Sequence, residues 1–345
     1  MMMIPRTAYA FINTVLISGR YSKRFILASR SMMASSSSSS SNQEEQFNHM
    51  EIKNWQSGFE HYDNGFGPLT QQTIPTLLKD VNFPRDDNTP CRLLDVATGP
   101  GFVLSGAIET ILSERNNNED IDDNQYHLTG LDITDNFLSL AKQRIDAQLE
   151  EHKATNQIKV DYIKGSAESL PFNDDTFDSI TCNFGILHFY KPATFLSESY
   201  RVLKPGGRIS FSCWSPPART EGFRIALESI AEVGNPNVEG LPSGPQFFDF
   251  GDSEQAQRQL DKVGFKNIKS EELSHMSWNN VKDSAMLYDV LLNGTSRTRE
   301  VLLGQTAEEI AAIQALMNTK YNQITDCGAR PLSMPALLTS GRKPV

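Results

Sequence analysis

Short apolar runs alternate with longer amphipathic stretches from residue 91 onward, and this alternation is the strongest pattern in the chain. Arg92 to Val96 is an apolar run that ends at glycines, as a buried strand does. A helix follows over Phe102 to Ser113, then a polar, acidic loop over Asn116 to Asn124 and a second strand over His127 to Asp132. Thr134 to Glu151 has helical spacing, with Thr134 placed to cap it. Ile158 to Ile163 and Phe177 to Asn183 read as the third and fourth strands. The helix expected over Ala193 to Leu203 closes at Lys204-Pro205-Gly206-Gly207, because proline cannot continue a helix and glycine accepts positive φ. Arg208 to Trp214 is the fifth strand.

The flanks carry helical patterns. Ahead of the first strand, Trp55, Phe59, Tyr62, Ile74, Leu77 and Leu78 recur at helix-like spacings between Met50 and Asp80. Beyond the fifth strand, 215–250 reads as a long Pro/Gly-containing insertion, 253–264 as a helix and Phe265 to Glu272 as a sixth strand. Residues 281–326 are helical, with stripes at Leu287, Val290, Leu291 and at Ile310, Ile313, Leu316, and Met334 to Arg342 is the last strand. The chain thus divides into a leader (1–43), cap helices (44–90), a ligand-binding core (91–214) and a substrate-covering part with the last strands (215–345). Such alternation implies an α/β fold: a mostly parallel, seven-stranded sheet with helices on both faces and helical additions over its carboxyl edge. Ligands sit at that edge, near the switch in strand order.

Composition narrows the class. A 39% hydrophobic content is ordinary for a globular protein, and no apolar run approaches the ~18 residues of a membrane span. The net charge is −10, although the first 43 residues hold five basic side chains and no acid. An acidic body excludes non-specific nucleic-acid binding, which needs a basic patch. Residues 1–34 are basic, hydroxyl-rich and acid-free, and a serine run over Ser35 to Ser41 follows. That is a transit-peptide composition, expected to direct import into mitochondria, with plastids second. A signal-peptide core over Ala8 to Ile17 competes, but Arg20, Lys23 and Arg24 after it suit an amphipathic presequence better. Met32 or Met33 would start a leaderless, cytoplasmic product. The four cysteines show neither a CxxC pair nor metal-ligand spacing, so no metal is expected. Cys182 and Cys213 fall on neighbouring strands; core packing is preferred over a thiol site for arsenite.

The chemistry gathers at the first turn. Gly99 and Gly101 allow backbone to approach a ligand, but a tight strand–helix turn needs glycines anyway. Asp95 sharpens the reading. A dinucleotide loop would carry a third glycine where Leu104 stands, and an aspartate in the turn repels phosphate. Asp132, ending the second strand, can accept from two ribose hydroxyls. A ribose joined to an ammonium-bearing amino acid without phosphate describes S-adenosylmethionine.

Leu93-Leu94-Asp95-Val96-Ala97-Thr98-Gly99-Pro100-Gly101, Gly130-Leu131-Asp132, Gly165-Ser166-Ala167-Glu168 with Leu170-Pro171-Phe172, and Arg201-Val202-Leu203-Lys204-Pro205-Gly206-Gly207 occur in that order. Together they resemble the successive motifs of class I S-adenosylmethionine-dependent methyltransferases, whose sheet is Rossmann-like. They are most similar to the small-molecule branch that includes the ubiquinone and menaquinone C-methyltransferases. The resemblance implies that Asp95, Ala97, Gly99 and Gly101 hold the methionine end and that Asp132 binds the ribose. It implies that Ile133 packs on the adenine, that Ser166 and Ala167 meet the ring's polar edge, and that Asn183 and Phe184 lie beside the transferred methyl. Ala97 stands where glycine is usual, and Ser166 where an aspartate usually accepts.

Methyl transfer from a sulfonium needs alignment and a dry site, and a base only when the acceptor must lose a proton. His188, just beyond the fourth strand, is the candidate catalytic group; a rim position beside Phe189 and Tyr190 is its plain alternative. Tyr62, Trp214 and Trp55 are candidate pocket walls. Arg219, Arg224, Arg297 and Arg299 lie in segments expected over the active edge; Arg297 is a candidate receptor for a substrate carboxylate, and surface pairing is the competing fate of each. The expected function is methyl transfer to a small-molecule acceptor. Two acceptor classes compete: a quinone carbon, and a thioether carboxylic acid of the methylthio-hydroxybutyrate kind used in osmolyte synthesis. The non-enzymatic rival is a degenerate methyltransferase acting as a binding or assembly factor. A nicotinamide dehydrogenase is opposed by Asp95 and Leu104.

Overall fold

The structure, a computed structural model, describes residues 37–85, 90–115, 126–154 and 158–345. The expected transit peptide, apart from its last serines, and the acidic loop over Asn116 to Asn124 lie outside the described residues.

The five strands β1 (Cys91–Val96), β2 (Tyr126–Asp132), β3 (Ile158–Lys164), β4 (Phe177–Asn183) and β5 (Leu203–Trp214) run parallel. β9 (Ala336–Arg342) is antiparallel to β5 and also to β6 (Lys266–Leu273), which therefore runs the same way as β1. The order is β3-β2-β1-β4-β5-β9-β6, the mostly parallel seven-stranded sheet that the alternation implies. β1, β4 and β5 are buried almost throughout because helices cover both faces. Strand order reverses between β1 and β4, which opens a crevice at their carboxyl ends.

Helices α4 (Phe102–Arg115) and α5 (Asp135–Glu151) follow β1 and β2, and α6 (Pro192–Val202) precedes β5. Lys204 to Gly207 lies inside β5 rather than between helix and strand; Gly206 takes φ +82 there, and the register against β4 shifts at Phe177/Ser179. Thr134 holds the N-cap position of α5 without capping it: its hydroxyl donates to Asp132 Oδ1 at 2.9 Å.

Before β1 come α1 (Ser37–Gly65), α2 (Gly67–Thr70) and α3 (Ile74–Asp80). α1 starts within the serine run, earlier than expected, since no proline or glycine there breaks it. The insertion 215–250 is not irregular throughout, because it contains α7 (Glu221–Val233), whose buried face includes Phe223, Ile225 and Leu227. Proline and glycine on either side of α7 hid it. α8 (Ser253–Val263) leads into β6. The helical block 281–326 resolves into α9 (Ser284–Asn293), α10 (Arg297–Leu303) and α11 (Ala307–Thr325), and α11 packs on α7 and α9. A short ladder of β7 (Ser277–Trp278) with β8 (Leu332–Ser333) pins this block, and Trp278 Nε1 donates to Gly65 O at 2.9 Å at the end of α1. No described helix is long and apolar enough to cross a membrane.

Candidate functional site

The crevice at the switch point is a cleft of about 1050 Å³, its open mouth included. The turn after β1 forms its floor. Ala97 and Gly99 take φ +55 and +52, and Thr98 N donates to Leu131 O at 3.0 Å, tying the turn to β2. A non-glycine residue in the left-handed region costs roughly 1–2 kcal/mol, so Ala97 is strained where glycine is usual. Gly185 closes against it from beyond β4.

Two acids stand at the strand ends. Asp95 accepts from Thr98 Oγ1 at 2.7 Å and from Thr181 Oγ1 at 2.9 Å. Burial pushes its carboxyl up to about 7 against these two bonds, and the nearby Asp132 charge adds to the rise. Asp132 accepts from Gly99 N at 2.9 Å and from Thr134 N at 2.9 Å; burial raises its pKa as well. Three bonds to Asp132 leave acceptor capacity for a ligand hydroxyl. Among the described residues the cleft lining contains Glu51, Asp95, Asp132 and Glu168 but neither lysine nor arginine. That electrostatic pattern suits a cation and opposes phosphate.

Most residues singled out in the sequence meet here. Asp95, Ala97, Gly99, Asp132 and Ile133 line the cleft, as do Ser166, Ala167, Asn183, Phe184 and His188. Ile133 is 37% exposed, an uncommon state for isoleucine and one that leaves an apolar surface at the mouth. Ser166 Oγ accepts from Glu168 N at 3.1 Å, a local turn bond. Asn183 is used internally: its Oδ1 accepts from Thr73 Oγ1 at 2.7 Å and Ser212 Oγ at 2.6 Å, and its Nδ2 donates to Thr70 O at 3.1 Å. Phe184 has φ +53, held by its N–H donating to Ser212 Oγ at 2.9 Å and by stacking on Trp214 at 4.0 Å. Gly101 is the exception. It does not line the cleft; a Cβ there would lie 2.9 Å from Ala141 Cβ, so this glycine lets α4 and α5 approach.

A second chamber, about 390 Å³, adjoins the cleft and shares Trp55, Tyr62, Phe184 and His188 with it. Phe66, Trp214, Phe223 and Phe247 complete an aromatic wall, and residues 294–298 close one side. Tyr62, Trp214 and Arg297 all border this chamber. Burial pushes the Tyr62 phenol up to about 12, so it stays protonated near neutrality.

Arg297 does not present a free fork. Its Nε faces Glu51 Oε1 at 3.4 Å, and its terminal nitrogens donate to Pro245 O at 2.6 Å and Leu187 O at 3.0 Å. It also lies 4.7 Å over the Phe47 ring. The other arginines leave the site: Arg219 pairs with Glu272, Arg224 with Glu221, and Arg299 donates to Leu292 O at 3.0 Å. Cys182 and Cys213 are fully buried, and burial raises both thiol pKa values, as expected of packing residues.

Glu51 and its helix neighbours Asn48 and Ile52 were not legible as site residues. One signal existed: Phe47, Glu51 and Trp55 are four residues apart and share a helix face. Phe66, Phe223 and Phe247 carried no local signal, because distant segments bring them together.

Sheet order and a switch-point cleft with four acids in its described lining define a Rossmann-like protein. Residues 76–232 match the ubiE/COQ5 methyltransferase family. The ubiquinone/menaquinone biosynthesis C-methyltransferase UbiE of Ruegeria sp. (strain TM1040) is 37% identical over 202 residues, covering 54% of this chain and 73% of that protein. Its counterpart in Geotalea daltonii is 32% identical over 192 residues, covering 53% and 74%. The chain spans less of other relatives: it is 34% identical to UbiE of Rhodopseudomonas palustris (strain TIE-1) over 57% of that protein. A solved structure of Haemonchus contortus phosphoethanolamine N-methyltransferase 2 with S-adenosyl-L-methionine covers 84% of this chain and 57% of its own, at 18% identity and a TM-score of 0.45. The chain belongs to the ubiE/COQ5 methyltransferase family.

Proposed function

We propose that this protein transfers a methyl group from S-adenosylmethionine to a small, uncharged acceptor. The observation that carries the reading is the cleft with four acids and, among the described residues, no lysine or arginine, beside a chamber walled by aromatic rings. The residues fit the cofactor. Asp132 has acceptor capacity for ribose hydroxyls, Asp95 supplies negative charge for the ammonium end, and Ile133 offers an apolar face to the adenine. When bound, the cofactor supplies an electrophilic methyl on a sulfonium sulfur. The protein's part is alignment and exclusion of water. Trp55, Tyr62 and Phe184 stand between cleft and chamber, Trp214 backs Phe184, and together they keep that border apolar.

Of the two acceptor classes, the hydroxylated ring of a quinone precursor fits better than a thioether carboxylic acid. Arg297 is neutralised by Glu51 and occupied by two backbone carbonyls, so the chamber offers no excess positive charge to a carboxylate. The C-methylation named for the UbiE relatives supports the same choice. Import into mitochondria, with plastid or cytoplasm as alternatives, is proposed from the leader composition alone. It is checked by a cleavage-and-import assay on the full chain.

Calorimetric titration with S-adenosylmethionine and S-adenosylhomocysteine tests the cofactor reading. Micromolar binding that Asp132→Ala weakens at least about 100-fold is expected, since two ribose bonds to a charged acceptor are lost. Absence of binding by the parent protein overturns it. Binding without turnover on any acceptor makes the chain a binding or assembly factor.

A further inference from the structure

Glu51 and Arg297 both lie outside the segment that matches the family, and Glu51 contacts both Arg297 and His188. Glu51 Oε2 lies 3.1 Å from His188 Nδ1 and accepts from Trp55 Nε1 at 2.9 Å. The Glu51 and Arg297 side chains are 7% and 11% exposed, and His188 is 19% exposed. We infer that Glu51 and His188 form a proton-accepting dyad, and that the acceptor therefore carries an acidic proton, as a phenol, enol or hydroxylated ring does. The inference rests on the methyltransferase reading and narrows its acceptor.

An ionised carboxylate only accepts, so the nitrogen facing Glu51 must carry the hydrogen. The lone pair then sits on Nε2. The His188 ring borders both cleft and chamber, and edge contacts with Trp55 at 4.9 Å and Phe247 at 5.7 Å fix its plane. Burial works against the Glu51 charge, but His188 and Arg297 outweigh it and hold the carboxyl below its ordinary range. Around His188 the charged groups are Glu51 from α1 and Arg297 from α10, with Asp95, Asp132 and Glu168 across the cleft and Lys191 three residues on.

The step balances within these groups. The acceptor's O–H bond breaks, its electron pair stays on oxygen, and the proton goes to His188 Nε2. The oxyanion, or a ring carbon it enriches, becomes the nucleophile; with carbon, the ring C–H proton afterwards moves to the oxygen and restores the hydroxyl. Glu51 balances the imidazolium, and Nε2 returns the proton to water after the product leaves. Glu51 is thus a positioning residue. A thioether has no proton to lose and would leave the dyad without a task.

Histidine-¹⁵N NMR on the full chain with S-adenosylhomocysteine tests the dyad, with His188 assigned by its loss in His188→Gln. The expected state is a His188 tautomer with its hydrogen on Nδ1, and Glu51→Gln is expected to shift that hydrogen toward Nε2, because an amide no longer demands a donor. A hydrogen on Nε2 in the parent protein, or a tautomer that Glu51→Gln does not move, overturns the dyad. The parent tautomer needs no variant, so this test survives a Glu51→Gln chain that does not fold. With S-adenosylmethionine, phenols and enols are expected as acceptors over methylthio-carboxylic acids, and His188→Gln is expected to cut kcat by about 100-fold or more with little change in KM. Turnover of thioether acids alone, or a His188→Gln kcat equal to the parent's, overturns the acceptor class. Calorimetry on the same proteins separates the two levels, because cofactor binding by His188→Gln upholds the methyltransferase reading whatever becomes of the dyad.

Discussion

A Cβ placed on Gly185 would lie 2.7 Å from the Ala97 Cβ, so these two residues meet across the floor of the cleft with no room for another methyl. The same Cβ would lie 2.7 Å from Cys182 Sγ. The turn after β1 and the turn after β4 therefore set one another's shape. Gly185→Ala is expected to cost about 1–3 kcal/mol through overpacking. Ala97→Gly is expected to stabilise by up to about 1 kcal/mol, because it removes the positive-φ strain, less the entropy added to the unfolded chain. In a double-mutant cycle by urea denaturation, Ala97→Gly should recover part of the Gly185→Ala loss. Strict additivity of the two changes would contradict the contact.

Asp95 makes stability and cofactor affinity respond to pH in opposite senses. Its folded pKa, about 7, exceeds the ordinary 3.8. A raised carboxyl stabilises the fold below the ordinary value and loses that contribution as pH rises through 7. The ligand-free protein should therefore lose stability across that window, and Asp95→Asn should flatten the slope. Affinity for a cationic ligand should rise over the same window, by up to about tenfold per unit below 7. Thermal melts and calorimetry at several pH values measure both; a flat affinity profile in the parent protein would remove Asp95 from the binding account.

Arg297 and Arg219 both face acids, yet they should differ in consequence. Arg297 is buried with Glu51, and removing it strips that buried carboxylate of its guanidinium partner. Arg297→Ala is expected to cost about 3–5 kcal/mol. Arg219 is exposed beside Glu272, and Arg219→Ala should cost at most about 1 kcal/mol, less at high salt. Chemical denaturation of the two variants gives the comparison directly.

Trp214 links the chamber to the strained Phe184 by stacking. Trp214→Ala is expected to cost about 3–5 kcal/mol and to relax acceptor selectivity, whereas Trp214→Phe should retain most stability. Stability curves and relative kcat/KM over an acceptor series report the two effects. Equal selectivity in all three proteins would argue that Trp214 is packing only.

The cofactor cleft was legible because its parts are local. Asp95, Gly99 and Asp132 sit at strand ends, and a parallel sheet sends every such end to one edge. Gly101 has a packing role that no sequence shows: its missing side chain makes room for Ala141, 40 positions along the chain. Helix α7 was missed because flanking prolines and glycines masked its apolar face. Arg297 borders the chamber beside the cleft, but its partner Glu51 lies 246 residues away in the sequence.

By itself the sequence determined the alternating elements, the parallel sheet, and a sulfonium-type cofactor loop with an alanine in a glycine's place. Periodicity and turn chemistry act over a few residues, so they survive in a linear string. Only the tertiary structure decided the acceptor side: which arginine enters, that Glu51 neutralises it, and that His188 is oriented between cleft and chamber. Those facts depend on which side chains from α1, β4 and α10 approach within hydrogen-bonding distance, and burial then sets how strongly their charges act on one another.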